Sequence, residues 1–97
     1  YTATLANRDP AQASSLARCR IVGKHCESGD IIQPGVELPA DICKGDIIAV
    51  CTTGAYNYSM ASNYNRLPRP PIVMLAKDRS YEAVRRETLE DLVALDL

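Results

Sequence analysis

Two short segments concentrate the side chains able to do chemistry. Residues 24–30 read Lys-His-Cys-Glu-Ser-Gly-Asp. They put a thiol (Cys26), a carboxylate (Glu27) and a hydroxyl (Ser28) in consecutive positions, with a second carboxylate (Asp30) after a glycine. Cys26 could serve as a nucleophile, as a proton donor, or as an inert thiol. A thiolate nucleophile needs a base or a cation beside it, and His25 is its neighbour in sequence. Neighbours in extended chain point to opposite faces, so adjacency alone does not bring the ring to the sulfur. The plainer alternative is a polar loop whose Asp30 caps a turn.

The second segment, residues 54–65, reads Gly-Ala-Tyr-Asn-Tyr-Ser-Met-Ala-Ser-Asn-Tyr-Asn and holds three of the chain's five Tyr. Tyr and Asn are hydrogen-bond donors that adapt to a ligand, and their density resembles a binding surface. A phosphate or carboxylate could take a Tyr hydroxyl here. The same hydroxyls could instead satisfy the backbone of a packed loop. Arg18, Arg20 and Lys24 could line up as a phosphate stripe, but a wet strand face accounts for them equally simply. The charges between residues 77 and 91 read as a solvated face and a helix cap.

Composition narrows the classes. Ninety-seven residues are one domain's worth of chain. Eleven Lys and Arg against twelve Asp and Glu give a formal net charge of −1, without the basic surplus that nucleic acid or an anionic membrane demands. No apolar run approaches the roughly 20 residues of a membrane span, and no secretory leader is expected from the opening residues. Four Cys at 19, 26, 43 and 51 lack any C-x-x-C spacing, and there is one His. A zinc site and a disulfide framework are both poorly supported, so no metal is expected and reduced thiols in the cytoplasm are. With no Trp and no Phe, a core must rest on Ile, Leu, Val and Ala.

The elements that must position the two segments read mainly as β. Residues 1–7 alternate loosely as a strand, and residues 8–15 form a loop. Residues 16–24 alternate apolar and basic side chains, predicting a strand with one wet face. Gly23 marks a bulge or a close backbone approach. Residues 31–38 read as a short stretch broken by the turn dipeptide Pro34-Gly35. Residues 46–52 and 72–76 are apolar runs rich in β-branched residues, predicting two buried strands. Residues 54–65 have no clean period and read as a long irregular segment. Pro68, Pro70 and Pro71 force extended backbone. A turn at 78–80 lets residues 81–86 pair back as a hairpin. Thr88 and Asp91 fit a capping box, and Leu89, Leu92, Val93 and Leu95 follow a helical stripe. The sum is a single domain over residues 1–97, barrel- or sandwich-like, with a short C-terminal helix.

Taken together, these residues resemble the diaminopimelate decarboxylases, within the group that also decarboxylates ornithine and arginine. The resemblance rests on HCESGD (residues 25–30), the following LP and GD, GAYNYSMASNYN-R-x-PRP (54–70), VRRET-x-EDL (84–92) and the opening Y-x-A-x-x-ANR (1–8). It runs in order over essentially the whole chain. It implies a pyridoxal 5′-phosphate (PLP) enzyme with a (β/α)₈ barrel and a C-terminal β domain, similar to ornithine decarboxylase and, more distantly, alanine racemase. This chain would be most of that β domain. The barrel, the lysine that anchors the cofactor and the glycine-rich phosphate cradle would lie outside it, so the chain alone is expected to be inactive.

The resemblance also implies roles. Cys26 matches the family's proton-donor cysteine, which reaches across a homodimer interface into the neighbour's active site. Glu27 matches the glutamate that binds substrate, here meso-diaminopimelate. Ser28 and Asp30 complete that loop, either touching the far end of the substrate or positioning the loop. Tyr56 matches the tyrosine that contacts both the PLP phosphate and the substrate. The implied reaction releases CO₂ and L-lysine, a step of lysine biosynthesis. The alternatives are a related PLP decarboxylase acting on arginine, ornithine or carboxynorspermidine, or a non-catalytic β domain that mediates dimerisation.

Overall fold

A computed structural model describes all residues from Tyr1 to Leu97. The chain divides into two compact units, Tyr1–Ser59 and Met60–Leu97. Each is built on antiparallel two-stranded ladders.

In the first unit, β1 (Ala3–Leu5) pairs with β4 (Ile48–Val50), with Leu5 opposite Ile48. The loop after β1 contains one 3-10 turn, Pro10–Gln12, whose N-cap Asp9 accepts a hydrogen bond from the amide of Ala11 at 2.9 Å. Strand β2 (Leu16–Val22) then pairs with β3 (Ile31–Pro39) as a long hairpin. Along β2 the alternation expected from sequence is present: Arg18 and Arg20 are exposed, and Ala17, Cys19 and Ile21 are half-buried.

Pro34-Gly35 does not break the third segment. β3 runs through it for nine residues. Cys19 faces Val36 and Ile21 faces Gln33, so Pro34 and Gly35 together oppose the single residue Arg20. That is a β-bulge, one of the few sheet positions that tolerate a residue lacking an N–H. A second irregularity follows at once, where Ile21 faces Gln33 and Val22 faces Ile31.

The core of this unit is small. Leu5 and Leu38 are 3% and 4% exposed, and Pro39 is fully buried beside Leu38 at the end of β3. β1 lies against β3, so Leu5 and Leu38 come from two different ladders that share one interior. The unit is also fastened by charge. Asn7 and Arg8, just past β1, reach Asp46, just before β4. Asp46 further caps the turn before it by accepting from the amide of Cys43 at 3.0 Å.

In the second unit, β5 (Ile72–Leu75) and β6 (Ser80–Val84) form the hairpin expected from the turn signals. α1 (Leu89–Leu92) follows, N-capped by Thr88 in a complete capping box with Asp91. The Pro-rich stretch before β5 is tied to the stretch after β6 through Glu87. Its carboxylate pairs with the Arg69 guanidinium and accepts from Asn63 Nδ2 at 2.9 Å. Arg85 pairs with Asp91 at 2.7 Å.

The two apolar runs are less covered than their sequences suggest. Ile48 and Val50 are half-buried, Ile47 is exposed, and Val73, Met74 and Leu75 all lie open, Leu75 at 82%. The helical stripe is likewise open at Leu89, Val93 and Leu95. The chain exposes 7840 Å², whereas two separate compact bodies of 59 and 38 residues would expose about 6,600 Å². Each ladder has only two strands, so β-branched side chains on both faces cannot all be covered within the chain.

Candidate functional site

The turn joining β2 to β3 carries Cys26, Glu27 and Ser28 at its tip, and all three are exposed. Backbone hydrogen bonds give the tip its shape. The amide of Glu27 donates to the carbonyl of His25 at 2.8 Å, that of Asp30 to Glu27 at 3.1 Å, and that of Ile31 to Gly29 at 2.8 Å. Glu27 helps hold its own turn: Oε1 accepts from the amide of Gly29 at 3.0 Å, while Oε2 makes no hydrogen bond within the chain. A carboxylate fixed through one oxygen presents the other to a cation at a defined place.

Asp30 is differently engaged. Its Oδ2 accepts from the backbone amide of His25 at 3.0 Å and lies 3.1 Å from Nδ1 of the His25 ring. Its carbonyl accepts from the amide of Gly23 at 2.9 Å. The side chain therefore folds back over the neck of the hairpin, with 24% of its surface exposed. Gly23 is the close approach anticipated from sequence: a Cβ there would sit 2.0 Å from Asp30 Oδ2.

Tyr56 stands on a separate segment, the run of turns at residues 54–60 that follows β4. It is 67% exposed and its hydroxyl makes no hydrogen bond within the chain. Its backbone is held locally, since Ser59 Oγ donates to the Tyr56 carbonyl at 2.9 Å. Thr52, four residues earlier, has φ 63°, a left-handed conformation that β-branched residues rarely adopt. Several later residues of the Tyr/Asn-rich segment serve structure. Asn63 bonds the Leu67 carbonyl and Glu87, Ser62 accepts from the amide of Tyr64, and Asn65 takes a left-handed turn at φ 59°.

Several residues of the sequence motifs turn out to be fasteners. The Asn-Arg of the opening motif and the Gly-Asp before β4 meet as the cluster of Asn7, Arg8, Asp41 and Asp46. Arg8 and the other donors hold the Asp46 carboxyl well below the usual carboxylate range. Arg85 and the capping contacts do the same for Asp91. These pairings join residues 38 apart in sequence for Arg8 and Asp46. No spacing rule connects them, although the opposite charges were visible. The four Cys form no disulfide; Cys19 is half-buried and Cys26, Cys43 and Cys51 are exposed. No group of three or more His, Cys, Asp or Glu side chains is placed to hold a metal ion, and no helix is long and apolar enough to cross a membrane.

An antiparallel hairpin domain that presents a Cys-Glu-Ser turn, with an exposed tyrosine on another loop, defines the class: a small sheet domain that holds polar side chains outward on its turns. The chain belongs to the family of the pyridoxal-dependent decarboxylase C-terminal sheet domain, whose family model matches residues 1–54. It is 52% identical over 77 residues to the diaminopimelate decarboxylase of Bacillus subtilis (strain 168), a match over 79% of this chain and 17% of that protein. It is 42% identical over 96 residues to that of Staphylococcus aureus (strain COL), covering 99% of this chain and 22% of that protein. Its structure superposes with a TM-score of 0.80 and 36% identity on the diaminopimelate decarboxylase of M. jannaschii in co-complex with L-lysine, over 88% of this chain and 19% of that one. The chain thus spans about a fifth of the length of the curated relatives it matches.

The family implies PLP, and the side chains at hand suit a supporting part in holding it. The exposed, uncommitted Tyr56 hydroxyl is a neutral donor of the kind a phosphate accepts. Lys24, Lys44 and Lys77 are exposed surface residues.

Proposed function

We propose that this chain is the C-terminal part of a PLP-dependent enzyme that decarboxylates meso-2,6-diaminopimelate to L-lysine and CO₂, a step of lysine biosynthesis in the cytoplasm. The single observation that carries the reading is the exposed Cys26-Glu27-Ser28 tip, in a chain up to 52% identical to named diaminopimelate decarboxylases.

PLP, when bound, supplies the electron sink that lets the carboxylate depart. The tasks left to this chain are proton control, substrate orientation and a hand on the phosphate. Cys26 gives its thiol proton to the substrate carbon that has lost the carboxylate, and so fixes the face that is protonated. Glu27 pairs with the ammonium at the far end of the substrate. A shorter amino acid leaves that carboxylate without its partner, which favours diaminopimelate. Ser28 adds a hydroxyl at the same tip. Tyr56 donates to the PLP phosphate and touches the substrate. The tip serves the active site of a second copy, so the enzyme works as a homodimer, and a protruding turn with its polar groups outward suits that use. Asp30 contributes by holding the turn, because its carboxylate is already occupied by His25.

The test is the full-length enzyme with Cys26→Ala. Decarboxylation should fall by about a hundredfold or more, while Cys43→Ala retains activity near the parent level. Undiminished turnover in Cys26→Ala would remove the proton-donor role.

A further inference from the structure

We propose that Gly23, His25 and Asp30 form a clasp at the neck of the β2–β3 hairpin, making His25 and Asp30 positioning residues for Cys26. The inference rests on the reading of Cys26 given above.

Three contacts close the neck. The Asp30 carbonyl accepts from the Gly23 amide at 2.9 Å. One carboxylate oxygen, Asp30 Oδ2, meets both the His25 amide at 3.0 Å and the His25 ring Nδ1 at 3.1 Å. The clasp therefore grips the residue next to Cys26 by its backbone and by its side chain. Gly23 makes room for it. Any side chain there collides with the carboxylate carbon and both of its oxygens, with Cβ distances of 2.0 to 2.4 Å. The colliding group is held by two hydrogen bonds and cannot move aside without releasing His25. Gly35, the glycine on the opposite strand, differs in kind. A Cβ there meets the Arg18 guanidinium, the far end of a flexible side chain on an exposed residue.

The chemistry explains why such a grip matters. A proton donor works only within hydrogen-bond reach of its acceptor, and misplacement of about 1 Å costs up to about a hundredfold in rate. Cys26 is exposed at the tip of a turn. The backbone of residues 25–30 carries it there, and the clasp is the point where that backbone is tied to the hairpin.

The experiment uses the full-length enzyme with Gly23→Ala, Asp30→Asn, His25→Leu and His25→Asn. The Asn variant at 25 restores a donor near the place of Nδ1, whereas Leu does not. Gly23→Ala, Asp30→Asn and His25→Leu should lower kcat about tenfold or more with KM within twofold of the parent. Amide hydrogen exchange in a peptide spanning residues 25–30 should quicken at least threefold in the same variants. His25→Asn should recover most of both. Unchanged exchange and unchanged kcat in Gly23→Ala and His25→Leu would overturn the clasp. A rise in KM alone for Asp30→Asn, with exchange unchanged, would also overturn it, making Asp30 a direct substrate contact. If Gly23→Ala fails to fold, the His25 pair decides. Faster exchange in these variants, in an enzyme that tolerates Cys26→Ala, would uphold the clasp and overturn the proton-donor reading instead.

Discussion

Arg8 and Asp46 meet at 3.0 Å across 38 residues of sequence and lock the exit of β1 to the entry of β4. The Asp46 side chain is only 8% exposed, and it also accepts from Asn7 at 3.0 Å and from the amide of Cys43 at 3.0 Å. Arg8 spans a second carboxylate, Asp41, at 3.1 Å. Asn7 completes the joint by accepting from the amide of Ile47 at 2.9 Å. In a unit with so few buried side chains, this polar joint does part of the work a core would otherwise do.

That joint makes stability depend on pH with a definite sign. The hydrogen bond from Arg8, then those from Asn7 and the Cys43 amide, lower the Asp46 pKa, partial burial opposing them. A carboxyl depressed in the folded state contributes stability that is fully present above its unfolded value, about pH 4, and that is lost as pH falls through the folded value. The thermal midpoint of the full-length protein should therefore fall more steeply below pH 4 than that of Asp46→Asn, which has no carboxylate to protonate. Parallel curves for the two proteins would contradict this.

Thr52 carries a β-branched side chain at φ 63° just before the Tyr56 segment. Left-handed backbone costs an L-residue about 1–2 kcal/mol, less for Asn. The chain itself places Asn65 at φ 59°. Thr52→Asn should raise stability by about 0.5–1 kcal/mol, read as a higher thermal midpoint. A lowered midpoint would mean that the threonine side chain earns its place through packing.

Thr88 accepts from the amide of Asp91 at 3.2 Å, and Asp91 accepts from the amide of Thr88 at 2.8 Å. A helix of four residues cannot sustain itself without such a cap. Thr88→Ala should cost about 0.5–1 kcal/mol locally, seen as faster exchange of the Asp91 amide. Thr88→Ser should preserve the slow exchange. Equal exchange in the two variants would show that the hydroxyl is idle.

Much of this architecture was readable in the residues, for identifiable reasons. The β2 alternation, the β5–β6 hairpin and the Thr88 capping box each depend on neighbours within a few positions. Gly23 could be flagged as a bulge or a close approach because glycine at a strand end marks one or the other. What approaches it, the Asp30 carboxylate, depends on the fold of the turn. Pro34-Gly35 misled because the pair that favours a turn also fits a bulge, and only the partner strand decides between them. Val73 and Leu75 misled because an apolar run reports that a strand is meant to be covered, not that the covering lies in the same stretch of chain. The Cys26-Glu27-Ser28 tip was legible because it is contiguous. The Arg8–Asp46 joint was not, because it is assembled from distant residues.

The two irregularities in β3 have a consequence for which length changes this hairpin can absorb. Each lets β3 take up one unmatched residue while the partners on either side keep facing each other across the ladder, so Val36 and Gln33, three apart in sequence, share one face with Cys19 and Ile21. The arm that leads to Cys26 thus keeps the heading an unbulged ladder would give it, with two residues of slack stored along β3. A deletion of one residue between Ile32 and Gly35 draws on that slack and leaves the pairs Cys19–Val36 and Val22–Ile31 in place. The same deletion in the regular pairing of residues 16–19 has no slack to draw on and turns the side chains beyond it to the other face.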